Sequence, residues 1–109
     1  MGTIISPDGR FEWDEKKNNR NKEDHGFFFE EILAVFDDPF FLEAYDKDHS
    51  TLDEVRLKGI ASFSMRIYFF LSYTEHEERI RIISARLAEP HERKYYDQNY
   101  QKQVTGYER

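Results

Sequence analysis

Arg79, Arg81 and Arg86 flank and punctuate an apolar stretch, Ile80 to Ala85, that reads as a strand, and Arg56 closes the motif Glu54-x-Arg56 upstream. A guanidinium on a half-buried strand is costly unless an anion meets it. The chain carries a formal net charge of −6, with 22 acidic against 16 basic residues, so this cluster is not general surface basicity. It points to a site for phosphate, which arginine's planar fork binds through paired hydrogen bonds. With no such ligand, the same arginines would pair with Glu54, Glu75 and nearby acids as a solvated sheet face. Three more side chains could move protons there. Glu54 and Glu75 are candidate general bases, because a carboxylate beside arginine is held in place and kept ionised. His49, in the polar stretch before Glu54, is a candidate acid or base near neutral pH.

The elements that must position these residues belong to one domain, since 109 residues suffice for a single apolar core. Without cysteine there is neither a disulfide framework nor a thiolate metal site. His76 and His91 show no partner at metal-ligand spacing, so no metal and no cofactor is expected. The acidic balance argues against holding nucleic acid by bulk electrostatics, and any RNA contact must be local. Ile67 to Leu71, the longest apolar run, is too short to span a bilayer, and Met1 to Asp8 lacks the form of a signal peptide. A cytoplasmic protein with no membrane contact is expected.

Residues 1–10, with Pro7 and Gly9 and no periodicity, read as a flexible or adherent leader, 11–101 as the domain, and 102–109 as a frayed tail. Phe11 to Trp13 alternates as a short strand and meets Asp14, a helix N-cap; that helix ends at His25-Gly26. His25 there favours the helix C-terminus rather than catalysis. A second helix is expected from Phe29, with Phe29, Leu33 and Phe36 on one apolar face, ending before Pro39. Phe40 to Tyr45 is extended and Asp46 to Leu52 a polar loop. From Glu54 the period becomes two, with Leu57 and Gly59 on the core side and Arg56 and Lys58 on the other. Ser62 to Ser64 is the expected turn before a central strand, Arg66 to Tyr73. On the next strand Arg79 and Arg81 share a face, and Arg86 joins them only if the strand ends or bulges. A helix from about Glu89 to Gln101 completes an α+β domain, strand-helix-helix then an antiparallel sheet of three to four strands and a C-terminal helix. Trp13 and Tyr68 read as core; Tyr95 and Tyr96 could face either RNA or a partner.

These residues also carry a resemblance. Phe11-Glu12-Trp13-Asp14, Lys17, Asn21, His25-Gly26, Phe29-Glu30-Glu31, Val35-Phe36-Asp37-Asp38-Pro39, His49, Glu54-x-Arg56, Gly59, Tyr73-Thr74-Glu75, Arg81-Ile82-Ile83-Ser84-Ala85-Arg86, Glu92-Arg93 and Tyr96 resemble the BrnT toxin family, in order and at its spacing. The resemblance implies a RelE-like fold and a ribonuclease toxin of a type II toxin–antitoxin pair that inhibits translation and growth. Its implied partner is a BrnA-like antitoxin with a ribbon-helix-helix domain, through which alone the toxin reaches DNA, and a toxin homodimer forms within the complex.

Metal-independent RNA cleavage needs a base for the 2′-hydroxyl proton, cations for the phosphorane and an acid for the departing 5′-oxygen, leaving a cyclic phosphate. Arg56, Arg81 and Arg86 are the expected cations, and Glu54, Glu75 and His49 the expected proton carriers. The chain departs from the family pattern at Asp24, where relatives usually carry lysine, at Phe28, where they carry a small hydroxyl residue, and at His76, where arginine commonly follows Thr-Glu. The departures at Asp24 and His76 favour an alternative reading, a catalytically degenerate homologue that serves as an antitoxin-binding module in operon autoregulation.

Overall fold

Ser6-Pro7-Asp8-Gly9 has proline at the second and glycine at the fourth position of a β-turn, and the Gly9 N–H donates to the Ser6 carbonyl at 2.9 Å. That turn folds the first residues back as β1 (Thr3–Ile5) against β2 (Phe11–Asp14), pairing Thr3 with Asp14. Of the two readings of the leader, flexible or adherent, the adherent one describes it: it forms an ordered edge strand in this computed structural model, which describes residues 2–106. β2 hands over to α1 (Glu15–His25) at Asp14, whose side chain accepts the Lys17 N–H at 3.0 Å. Gly26, at φ 88°, closes the helix in the left-handed conformation.

α1 has no apolar stripe, and its two buried residues are Asn18 and Asn21. Asn21 accepts the Ala85 N–H at 3.0 Å and donates to the carbonyls of Ala85 and Phe27 at 2.8 and 2.9 Å. A side-chain amide thus takes the backbone groups that a strand beside Ala85 would have used. Asn18 accepts the Phe29 N–H at 2.6 Å and donates to Glu30 at 2.7 Å, which starts the next segment.

That segment is not the expected α-helix but two 3₁₀ turns, Phe29–Glu31 and Leu33–Asp37. A 3₁₀ helix repeats every three residues, so the deeply buried side chains are Phe29, Ile32 and Val35, and Leu33 and Phe36 are only half-buried. Asp38, extended before Pro39, then anchors the turn: its Oδ2 accepts the Ser62 N–H at 2.9 Å and the Tyr96 hydroxyl at 2.5 Å.

Six strands form one sheet in the order β1-β2-β6-β5-β4-β3, with β3 Leu42–Tyr45, β4 Leu57–Phe63, β5 Ile67–His76 and β6 Arg79–Leu87. The four from β3 to β6 are antiparallel throughout, and β2 joins β6 in parallel, pairing Glu12 with Arg81. The expected turn at Ser62 to Ser64 lies two residues later, because Ser64 and Met65 (φ 57° and 58°) form the hairpin bend and Ser62 and Phe63 stay in β4. Glu77 and Glu78 (φ 51° and 67°) do the same between β5 and β6. Both bends need two left-handed residues, a demand usually met by asparagine or glycine, so the sequence did not mark the position of either.

One sheet face carries Phe11, Trp13, Leu71, Tyr73, Ile82 and Ala85 and is covered by Phe27 to Phe41 to form the core. Trp13 lies there edge-on to Phe29, as expected. Gly59 is required on this face, because a Cβ would lie 2.4 Å from the Phe41 ring. α2 (Pro90–Thr105) packs on the other face against β4 and extends beyond Gln101, so residues 102–105 of the expected frayed tail are helical; 107–109 lie outside the described residues. Tyr96, on the sheet-facing side of α2, is fully buried, bonded to Asp38 and 3.1 Å from the Ser62 hydroxyl, whereas Tyr95 is exposed. Tyr68 is half-buried against Tyr96 and donates to Asp97 at 2.9 Å.

Asn21→Ala strips two buried backbone groups of Ala85 of their partner and is expected to lower stability by about 2–4 kcal/mol. Urea unfolding measures this, and a change below about 0.5 kcal/mol would show that water replaces the amide.

Candidate functional site

The face opposite the core is only partly covered by α2. Its far end runs across three strands from Glu12 on β2 through Arg81 on β6 to Thr74 on β5, adjacent in register. Glu12 is 2% exposed, and its Oε2 accepts from Arg81 Nη1, so a buried carboxylate is in close contact with a partly buried guanidinium. His76 Nδ1 lies 3.0 Å from the same oxygen, and Arg79 Nη1 is 3.9 Å from Oε1. One buried carboxylate therefore organises three cationic or protonatable groups. Glu12 was not among the expected site residues; the alternation of Phe11-Glu12-Trp13 placed it opposite the core, and only the parallel pairing with β6 brings the arginines to it.

Arg56 reaches this region from the segment before β4. Thr74 Oγ1 donates to the Val55 carbonyl at 2.7 Å, which lays 54–56 against β5. Arg56 Nε donates to Glu54 at 2.8 Å, so Glu54 orients the arginine. Arg56 and Arg81 stand on either side of β5, about 10 Å apart at the backbone, a gap two extended guanidiniums can close on one phosphate.

His49 belongs to the same corner. Its loop is bonded to Arg56 through Asp46 N–H to the Arg56 carbonyl at 2.8 Å and Arg56 N–H to Ser50 Oγ at 2.8 Å. His49 Nδ1 is 2.9 Å from Asp46, leaving Nε2 toward solvent. Burial alone would push the Asp46 carboxyl up, but the bond from His49 and the charges of His49 and Lys58 outweigh it and hold the acid below its ordinary value. Asp46 therefore stays anionic and fixes the imidazole.

Two expected members lie elsewhere. Glu75 has the parity of Tyr73 and opens on the core face, beside a pocket lined by Phe36, Phe41, Glu43, Tyr73 and Ile80. It is exposed and separated by the sheet from Arg56 and Arg81, so its pairing with them is corrected. Arg86 does turn to the Arg81 face, because β6 carries an extra residue between Ile82 and Ser84. Yet Arg86 lies opposite Phe70, four residues down β5 from Thr74 or about 13 Å away. There it stacks on the Phe70 ring at 4.3 Å and grips Glu92 of α2 at 2.8 and 2.9 Å. That fork fastens helix to sheet. His91 does have carboxylate neighbours, contrary to expectation: among the described residues Glu89, His91 and Glu92 converge within 4.8 Å. Both Glu92 oxygens, however, are already taken by Arg86.

Residues 13–92 match the family described as the ribonuclease toxin BrnT of type II toxin–antitoxin systems. The chain belongs to that family. Among solved structures it is similar to the Brucella abortus ribonuclease toxin BrnT, at 24% identity and a TM-score of 0.53, over 71% of this chain and 92% of that one. The α+β fold is thus shared with BrnT. No curated protein matches the chain. Membership of a type II family implies an antitoxin partner. No helix among the described residues is long and apolar enough to cross a membrane.

Burial would raise the Glu92 carboxyl, but the bonds from Arg86 and the Glu89 N–H and the charges of Arg86 and His91 hold it below its ordinary 4.5. A lowered folded value means the pair stabilises the fold fully above about pH 4.5 and loses this as pH falls through the folded value. Thermal melts from pH 7 to 3 are expected to show a shallower acid decline in Glu92→Gln than in the parent, and parallel declines would discount the pair.

Proposed function

We propose that this BrnT-family chain is an endoribonuclease that cleaves RNA without a metal, by attack of the 2′-hydroxyl to leave a 2′,3′-cyclic phosphate and a 5′-hydroxyl. The observation that carries this reading is the row across the open half of the sheet, with Arg56 and Arg81 flanking Thr74 and His49 poised at one end. Arg56, oriented by Glu54, and Arg81, braced by Glu12, hold the phosphate and offset charge on the phosphorane. His49 takes the 2′-hydroxyl proton on Nε2 while Asp46 holds Nδ1. Glu75 has no part in this assignment, and Arg86 contributes by fixing α2.

Between α2 and β3–β4, on the same face, lies a groove of about 400 Å³ walled by Leu42, Ile60, Phe70 and Tyr95, with Lys58 at its side. Its apolar walls and exposed tyrosine suit a nucleobase unstacked from the strand. Membership of the family supports a BrnA-like ribbon-helix-helix antitoxin as partner, a toxin homodimer within that complex, and DNA contact through the antitoxin alone.

A second reading, a degenerate toxin retained as an antitoxin-binding module, is favoured by one observation: Arg56, Arg81 and Arg86 each already meet a carboxylate. Cleavage assays of the purified chain separate the two. Arg81→Ala is a poor probe because it leaves Glu12 short of its main partner; Arg81→Lys and Arg56→Lys keep the charge and lose the fork. Each is expected to lower kcat/KM for RNA by about 10- to 10³-fold with little change in melting temperature, and EDTA is expected to leave the parent rate unchanged. Parent-like rates in both variants would remove the arginine clamp, and an inactive parent would favour the binding module.

A further inference from the structure

The reaction above needs two proton carriers, and only His49 has been given a place. We infer that His76 is the second, the general acid that protonates the departing 5′-oxygen, held in position by the buried Glu12. The inference rests on the ribonuclease reading and supplies its missing residue.

His76 ends β5 two positions beyond Thr74, about 7 Å along the same open face, where it pairs in register with Arg79. Its Nδ1 is tied to a carboxylate that is 2% exposed, while the imidazole side chain is 53% exposed. A buried anchor holds one ring nitrogen, while the other meets only the exposed Glu77 carboxylate at 4.0 Å, and this arrangement fixes the imidazole's orientation and leaves Nε2 within reach of a reactant. Arg81 shares the same Glu12 oxygen, so the proton carrier and the phosphate-binding cation are held by a single group. The resemblance to the family leads one to expect arginine here. Arginine would satisfy Glu12 equally well and could not exchange a proton, so histidine adds proton transfer and nothing that the ion pair requires.

In the step, the 2′-oxygen bonds to phosphorus as its proton passes to His49. The bond from phosphorus to the 5′-oxygen breaks, and that oxygen takes the proton from His76 Nε2. His49 ends protonated and His76 neutral, and exchange with water restores both. Charged and titratable groups around His76 are Glu12 from β2, Arg79 and Arg81 from β6 and Glu77 in the adjoining bend, at 4.0 Å from Nε2, with Thr3 of β1 behind Arg81.

The test uses the purified chain, a short RNA, and the same RNA with sulfur replacing the scissile 5′-oxygen, a leaving group that departs without protonation. His76→Gln and His76→Arg are expected to cut the ordinary RNA about 10²- to 10⁴-fold more slowly, to lose one limb of the parent's bell-shaped pH profile, and to regain most of the loss on the sulfur substrate. Parent-like rates in His76→Arg would overturn the proposal and leave His76 as a cation for Glu12. Slow cleavage of both substrates would overturn the acid role while keeping the ribonuclease reading. An inactive parent would overturn that reading and this one together, and circular dichroism of each variant separates any of these results from unfolding.

Discussion

A carboxylate that is 2% exposed cannot stand alone inside a protein, and Glu12 obliges the rest of the sheet to answer it. Its position in the middle of β2, between the core residues Phe11 and Trp13, turns it to the face away from the core. Parallel pairing then sets Arg81 opposite, the end of β5 brings His76, and β1 covers the outer edge. Misplacing any of these strands leaves a buried charge unmatched. The same demand that fixes the register gathers a guanidinium and an imidazole at one spot.

The arginines divide by what covers them. An extra residue in β6 puts Arg81 and Arg86 on one face, but α2 spans only the end near the β4–β5 hairpin. Arg86 falls under it, between the Phe70 ring and Glu92, and becomes a fastening. Arg81 falls beyond it and stays reachable. Asp38 performs the matching task on the other side of α2, joining the turn before Pro39 to β4 and to Tyr96. Both ends of the covered region are held by charged groups, which fixes where the cover stops and the open half begins.

Much of the candidate site was legible because strand parity is simple. Arg79 with Arg81, and Arg56 opposite Leu57 and Gly59, followed from a period of two, and even the condition for Arg86, a bulge, was stated by the parity itself. Glu75 was misgrouped because the central strand reads as ending at Tyr73, whereas β5 continues to His76 and its alternation sends Glu75 to the core face. The segment from Phe29 failed on period, since a spacing of four and three describes an α-helix whereas the chain packs at three and three. α1 was found from its caps alone, because no apolar stripe marks it and its attachment runs through asparagine amides to a strand 64 residues away.

The sequence by itself determined α1 with its caps, the run of strands that ends in a C-terminal helix, the core side of β2 and β4 and the family, because these rest on local periodicity, on end signals and on residues kept in order. Only the tertiary structure decided that Glu12 commands the site, that Glu75 lies outside it, that Arg86 is a fastening and that His76 has a buried anchor. Each of those depends on which strands lie side by side and what covers them, and a pairing between residues 12 and 81 leaves no trace in the neighbours of either.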